Sequence, residues 1–230
     1  MRLLDVGCGP GTITVDLAAR VAPGTATGVD REPAVVAEAT RHLGAREPAN
    51  VQFTTADAYS LGFADQSFDV VHAHQVLQHL ADPVAALVEM RRVLRPGGIL
   101  AVRDSDYGGF VWAPYDRLLD RWMEVYHHVC SRNGADADAG RHLLGWTQAA
   151  GFSEIEAGSS TWTFADVSSR LWWGELWAER VTRSALADQA VSYGLSTYEE
   201  LDEISSAWRG WAQQDDAFFV VLHADLLARR

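Results

Sequence analysis

Short apolar runs alternate with segments of helical periodicity through the first 103 residues of the chain. Five short apolar runs predict strands, at residues 3–7, 25–30, 51–55, 68–73 and 99–103. Apolar positions recur at helical spacing in the segments 12–21, 33–43 and 83–94. Strands that alternate with helices favour right-handed crossovers and a parallel sheet with helices on both faces.

The pattern changes after residue 110, where helical segments dominate and all nine tryptophans are found. Helices are predicted at 115–131 and 138–150, and β-prone runs at 152–157 and 218–223 predict two further strands. Residues 167–213 are interpreted as a tryptophan-rich helical insertion. Because there is no repeat and no low-complexity linker, we interpret residues 1–230 as one domain with an insertion.

Composition narrows the class of protein. The net charge of −12 is spread over both halves, which disfavours a nucleic-acid partner because such proteins need a basic stripe. The two cysteines, Cys8 and Cys130, exclude a disulfide-rich scaffold and fit a reducing, cytoplasmic location. We find no signal peptide, no apolar run approaching the ~20 residues of a membrane span, and no metal-ligand spacing.

The segment after the first predicted strand contains the residues that point to ligand binding. It reads Gly7-Cys8-Gly9-Pro10-Gly11 and leads into a predicted helix. Glycines allow a tight turn and a close approach of backbone to a ligand, and the helix start offers unpaired N–H groups. Asp30 ends the second predicted strand, 19 residues after Gly11, where a carboxylate can accept hydrogen bonds from two ribose hydroxyls.

The spacing of these glycines separates two kinds of ligand. Dinucleotide-binding loops read Gly-x-Gly-x-x-Gly, whereas this loop reads Gly-x-Gly-x-Gly and follows Asp5. In this the chain resembles the class I S-adenosylmethionine-dependent methyltransferases. The segments 56–58, 63–71, 76–80 and 89–98 extend the resemblance, the last two toward the ubiquinone/menaquinone-biosynthesis branch. The resemblance is specific over 1–103, moderate over 138–157 and 217–229, and absent over 158–213.

The resemblance implies an α/β, Rossmann-like fold. It predicts a seven-stranded, mostly parallel sheet of order 3-2-1-4-5-7-6, with strand seven antiparallel and helices on both faces. Residues 1–110 would form the cofactor-binding half, and 111–230 the substrate-side half with the insertion at about 167–213. The family normally has a helical segment before the first strand. This chain begins at that strand, so we expect either a truncated fragment or cover from the insertion or a partner subunit.

The resemblance also implies a cofactor site for S-adenosyl-L-methionine, with S-adenosyl-L-homocysteine as product. Its candidate residues are Asp5, Gly7, Cys8, Gly9, Gly11, Asp30, Arg31, Asp57, Ala58, Ala73, His74, Gln75 and His79. Among these, Asp57 and Ala58 are similar to the family's adenine-contacting segment. The methyl group is expected beyond strands four and five, because ligands of such sheets lie outside the carboxyl ends of the strands.

The candidate catalytic residues follow those two strands. His74 has a side chain suited to accepting a proton near neutrality, and its alternative role is to line the pocket. Asp104 and Asp106 alternate along an extended strand, so we expect one of them to face the pocket. Their alternative role is to cap the turn that follows.

Aromatic residues in the second half suggest a substrate pocket. Its candidate residues are Tyr107, Trp112, Tyr115 and Trp173, which would suit a flat or lipophilic acceptor. Aromatics at helical spacing are also typical of a packed core, and that alternative stays open.

The leading hypothesis is therefore an enzyme, an S-adenosylmethionine-dependent methyltransferase that acts on a small aromatic or lipophilic molecule by in-line displacement. Two alternatives remain, an NAD(P)-dependent oxidoreductase and a non-methylating protein that binds S-adenosylmethionine. The expected partner is the small-molecule substrate, with no nucleic acid and no membrane span, and a homodimer is left open.

Overall fold

The computed structural model describes residues 1–44 and 49–230. Its strands are β1 (Arg2–Val6), β2 (Thr25–Asp30), β3 (Val51–Thr55), β4 (Phe68–His74), β5 (Leu94–Ser105), β6 (Val111–Ala113), β7 (Ser153–Phe164) and β8 (Phe218–Arg229). Its helices are α1 (Thr12–Val21), α2 (Pro33–Leu43), α3 (Pro83–Val93), α4 (Arg117–Arg132), α5 (Ala139–Ala149), α6 (Val167–Arg183), α7 (Ala185–Ser192) and α8 (Tyr198–Ala212).

The strands join one mostly parallel sheet in the order β3-β2-β1-β4-β5-β8-β6, and β7 also pairs with β8. This confirms the predicted order, since β7 and β8 correspond to the sixth and seventh strands expected from the sequence. The sheet has eight strands rather than seven in the described chain. The additional strand is β6, which pairs antiparallel with β8 and, at three residues, is too short to show a period.

The observed boundaries of the helices and strands agree closely with the predicted ones in the first half of the chain, and less well where strands are long. The helices α1 and α2 and the strands β2 and β3 have the predicted bounds. The segment 95–98, expected to separate a helix from a strand, instead belongs to β5. Gly97 N donates to Arg230 O and Arg230 N donates to Gly98 O, both at 3.1 Å, so distant pairing extends this strand.

Contacts group the described residues into two compact units. Unit 1 contains residues 1–104, 139–159 and 224–230, and unit 2 contains residues 105–138 and 160–223. The boundary expected at residue 110 therefore lies near the point where the chain first passes from unit 1 to unit 2, but later segments belong to unit 1 again. The interpretation as a single domain stays a prediction.

Unit 1 is built around the parallel strands β1 to β5. Its core contains Leu4 on β1, Val71 on β4 and Leu100 on β5, with Leu87 and Met90 from α3. The helix α3 begins as the sequence predicts, with Pro83 in its first turn and the Asp82 carboxylate accepting from Ala85 N at 2.9 Å.

Unit 2 is mainly helical, and the predicted insertion at 167–213 contains α6, α7 and α8. Its core is rich in aromatic side chains. The ring of Trp122 lies edge-on to those of Trp177 and Trp208, at 4.5 and 4.9 Å between centroids. Across residues 1–44 and 49–230, no helix is both long enough and apolar enough to cross a membrane.

Candidate functional site

The glycine loop after β1 adopts a conformation that side chains resist. The φ angles of Gly7, Gly9 and Gly11 are +68°, +53° and +82°, in the left-handed region that favours glycine. A Cβ atom on Gly7 would lie 2.4 Å from Val76 Cγ2, so packing also requires this glycine. A Cβ atom on Gly9 would meet nothing within 4 Å. The backbone of Gly9 therefore faces open space, where a ligand can approach it.

Asp30, at the end of β2, holds the glycine loop by its carboxylate. Its Oδ2 accepts a hydrogen bond from Gly9 N at 3.2 Å, and its Oδ1 accepts from Glu32 N at 3.1 Å. Because one side chain bonds to both segments, the loop after β1 and the turn after β2 are fixed relative to each other.

A cleft of about 400 Å³ opens beside this carboxylate, at the carboxyl ends of strands in unit 1. It is lined by Val6, Gly7, Asp30, Arg31, Glu32, Ala56, Asp57, Ala58, Tyr59, Gln75, Val76, His79 and Leu80. Three lining residues are carboxylates, and the guanidinium Nε of Arg31 is paired with Glu32 Oε1 at 3.1 Å. The lining is therefore acidic.

The structure brings seven of the predicted cofactor residues to this cleft: Gly7, Asp30, Arg31, Asp57, Ala58, Gln75 and His79. The other predicted residues, Asp5, Cys8, Gly9, Gly11, Ala73 and His74, are not among the residues that line it. Gly9 bonds to Asp30 as described, and Cys8 and Ala73 are buried. Burial raises the pKa of the Cys8 thiol to about 12, with a smaller contribution from Asp5, so this thiol is neutral and unreactive.

Asp5 is buried and its two carboxylate oxygens are engaged within the protein. The hydroxyl of Thr14 donates to its Oδ2 at 2.5 Å, and His72 Nδ1 lies 2.7 Å from its Oδ1. These contacts tie β1 to α1 and to β4. Asp5 therefore anchors the strand that leads into the glycine loop, and its role at the cofactor stays a prediction.

Six lining residues were not predicted: Val6, Glu32, Ala56, Tyr59, Val76 and Leu80. All six adjoin a predicted residue in the sequence, so the position of the predicted strand ends could have indicated them. Tyr59 also braces the cleft, because its backbone N donates to Asp57 Oδ1 at 2.9 Å and its hydroxyl accepts from Asp82 N at 3.0 Å.

His74 ends β4, in register with Arg103 of β5. Its pKa is lowered from 6.5 to about 4, first by burial and then by electrostatic interaction with Arg103 and, after it, with His72. The imidazole is therefore neutral at neutral pH. It can accept a proton, but it is a weaker base than an ordinary histidine.

We expect His74→Asn to reduce the acid sensitivity of the fold. Because the folded-state pKa lies below the ordinary 6.5, the unfolded chain binds this proton more tightly, and stability falls between about pH 6.5 and about pH 4. Urea unfolding at about pH 7.5 and about pH 5 should show a smaller loss in His74→Asn than in the wild type. The exposed His42→Asn should lose as much as the wild type. Equal losses in all three proteins would contradict this prediction.

The two candidate carboxylates at the end of β5, Asp104 and Asp106, differ in their surroundings, and neither is among the residues that line the cleft. Asp104 is fully buried, and its Oδ1 accepts from Gln78 N at 3.1 Å. Burial raises the pKa of Asp104 to about 7. Asp106 belongs to unit 2 and is buried, with its backbone N donating to Leu222 O at 3.0 Å. Asp104 therefore bonds to the turn that follows β4, whereas the alternative role predicted a bond to the turn that follows Asp104 itself.

The aromatic candidates lie in unit 2 and mostly pack against one another. Tyr107 stacks on Phe110 and Tyr126, at 4.4 and 4.2 Å between centroids. Trp173 stacks on Phe164 at 4.3 Å, and Trp112 stacks on Phe219 at 5.8 Å. The side chain of Tyr115 is 77 % exposed. Packing accounts for the first three residues, and a substrate role for the four stays a prediction.

Comparison with known proteins identifies the family. Residues 1–163 match the sequence profile of the methyltransferase domain family. The chain belongs to this family. It is also 34 % identical over 244 residues to an uncharacterized methyltransferase of Schizosaccharomyces pombe, an alignment that covers 100 % of the chain and 84 % of that protein.

Two solved structures share the fold of this methyltransferase. Phosphoethanolamine N-methyltransferase 2 of Haemonchus contortus, solved with S-adenosylhomocysteine, matches with a TM-score of 0.60 and 20 % identity, covering 100 % of this chain and 49 % of that one. The [4+2]-cyclase SpnF matches with a TM-score of 0.57 and 27 % identity, covering 97 % and 74 %. The resemblance to class I S-adenosylmethionine-dependent methyltransferases is confirmed. The assignment to the ubiquinone/menaquinone branch stays a prediction.

Proposed function

We propose that this methyltransferase transfers the methyl group of S-adenosylmethionine to a small aromatic or lipophilic molecule by in-line displacement. The observation that supports it most directly is the acidic cleft between the bare backbone of the glycine loop and the carboxylate that ends β2. A sulfonium cofactor with an ammonium group fits negative surroundings, because opposite charges attract more strongly in a partly buried cleft than in water.

The residues that line the cleft fit the parts of the cofactor. Asp30 would accept hydrogen bonds from the ribose hydroxyls, because its half-buried carboxylate closes β2 beside the glycine loop. The open side of Gly9 would let its backbone approach the cofactor closely. Asp57 and Ala58 would hold the adenine, since both line the same cleft.

The charge of the cleft argues against the oxidoreductase alternative. A nicotinamide dinucleotide carries a pyrophosphate, which is bound by helix N–H groups and is repelled by carboxylates. Asp30, Glu32 and Asp57 line this cleft. Arg31 also lines it, but its guanidinium is already paired with Glu32 and so does not offset these charges.

When bound, S-adenosylmethionine supplies an electrophilic methyl group on a positively charged sulfur. The protein has to hold the acceptor atom in line with that methyl and to exclude water. A neutral His74 could take up a proton from the acceptor, because its pKa of about 4 leaves the imidazole unprotonated. A flat or lipophilic acceptor is supported by the exposed ring of Tyr115, whereas packing accounts for the other aromatic candidates. A homodimer and the lack of a nucleic-acid partner stay predictions.

A transfer assay tests the proposal. We expect the purified chain to move radioactive methyl from labelled S-adenosylmethionine into organic-extractable products of a mixed metabolite extract, and S-adenosylhomocysteine to inhibit the transfer. Binding without transfer under any condition would favour a non-methylating protein, a role compatible with this fold because the similar SpnF is a cyclase. Titration of nicotinamide fluorescence that showed tight binding would instead overturn the cofactor assignment.

A further inference from the structure

The turn after β4 forms one wall of the cleft. Gln75 has a φ of +56°, and its N donates to Arg103 O of β5 at 2.7 Å. A single 3₁₀ turn at Leu77–His79 follows, closed by a hydrogen bond from His79 N to Val76 O at 3.0 Å. Val76, which precedes this turn, and His79, its last residue, both line the cleft.

Asp104 follows Arg103 directly on β5 and binds this turn by its side chain. Its Oδ1 accepts from Gln78 N, in the 3₁₀ turn, at 3.1 Å. The residue is fully buried, and its Oδ2 has no hydrogen-bond partner within the described chain.

The turn after β4 also packs against the glycine loop. A Cβ atom on Gly7 would lie only 2.4 Å from Val76 Cγ2, so the Val76 side chain packs against the Gly7 backbone at a distance that only glycine permits. A displacement of Val76 would change the shape of the cleft where the glycine loop borders it. Asp104 therefore acts on the cofactor site indirectly. It holds the turn that follows Val76, and Val76 packs against Gly7 of the glycine loop.

We propose that Asp104 is a positioning residue whose ionised carboxylate holds the turn at 76–79 against the glycine loop and so sets the affinity for the cofactor. This inference rests on the proposed function. Asp104 is poorly placed to act as a base, because its carboxylate is fully buried, accepts from Gln78 N and is not among the residues that line the cleft.

The buried carboxylate of Asp104 destabilises the fold when it is ionised. Burial raises the pKa of Asp104 to about 7, against the backbone N–H groups that lower it, so folding opposes ionisation of this carboxyl. Its stabilising contribution as a neutral acid is present below the ordinary pKa of 3.8 and is lost as the pH rises through about 7. A neutral asparagine at this position should therefore not destabilise the protein at about pH 8, although it holds the turn less well.

Asp104→Asn tests the proposal by separating affinity from stability. At about pH 8 we expect calorimetric titration with S-adenosylhomocysteine to show about fivefold to thirtyfold weaker binding than the wild type, with a melting temperature no lower. Asp69→Asn is the matched control. It breaks the 2.6 Å ion pair with Arg95 near the start of β4, so it should lower the melting temperature and leave binding unchanged.

A second variant tests the same path without changing the carboxylate. Val76→Ala removes the side chain that meets Gly7, and it should also weaken binding of S-adenosylhomocysteine. Wild-type affinity in Asp104→Asn, or a joint loss of affinity and folding, would overturn the inference, since either result assigns Asp104 no specific role in the cleft. If the wild-type protein itself binds neither S-adenosylmethionine nor S-adenosylhomocysteine, the proposed function fails instead.

Discussion

Asp30→Ala should weaken the binding of both S-adenosylmethionine and S-adenosylhomocysteine by about tenfold to a hundredfold. The substitution removes the carboxylate expected to accept the ribose hydroxyls, and charge-assisted hydrogen bonds of this kind contribute about 1.5–3 kcal/mol. It also removes the acceptor for Gly9 N and Glu32 N, at 3.2 and 3.1 Å, so the glycine loop loses its fixed position. Isothermal titration with each ligand measures the effect.

Asp16→Ala is the control for this experiment, because it removes the same charge from an exposed position on α1. It should bind both ligands as the wild type does. If Asp30→Ala also retains wild-type affinity, the assignment of this carboxylate to the ribose is wrong. A similar loss in both variants would show that the net charge of the protein, rather than a specific contact, determines binding.

Trp122→Ala should destabilise the protein by about 3–5 kcal/mol, the usual cost of removing a large aromatic side chain from a core. Trp122 is 1 % exposed and packs edge-on against Trp177 and Trp208. Removing the indole would leave a cavity that these rings cannot fill without leaving their favourable rotamers. Urea unfolding followed by far-ultraviolet circular dichroism measures the loss without relying on tryptophan fluorescence.

Trp172→Ala is the matched control, since the Trp172 side chain is 58 % exposed on α6. We expect it to change stability by less than about 1 kcal/mol, because surface substitutions remove few packing contacts. A loss in Trp122→Ala no larger than in Trp172→Ala would show that the aromatic cluster is not a tightly packed core. The tryptophans would then be available for ligand binding, as the substrate-pocket hypothesis requires.

The aromatic residues show where sequence reasoning reaches its limit. Helical spacing indicates that Trp173 and Trp177 share one face of a helix, but that face can meet either a core or a ligand. The choice depends on what packs against it, and here Phe164 stacks on Trp173 while Trp122 meets Trp177. These partners lie too far away in the sequence to be found from a local pattern.

The acidic residues show the same limit at the candidate site. The spacing of Asp5 and Asp30 around the glycine loop marks both as candidates, yet Asp30 lines the cleft and Asp5 does not. The contacts of Asp5 with Thr14 and His72 depend on how α1 and β4 pack onto β1. Asp104 likewise looks like a catalytic acid in the sequence, and its contact with Gln78 becomes visible only when β5 lies beside β4.

The sequence by itself determined the order of strands and helices along the chain, the glycine loop and the family resemblance, and the resemblance in turn implied the strand order of the sheet. These depend on local periodicity, on turn residues and on motifs that are continuous in the chain. Only the tertiary structure decided which carboxylates reach the cleft, where β5 begins, and which tryptophans pack into a core. Those features depend on side chains and strands that meet across long sequence separations, and the free energy of such contacts has no local signature.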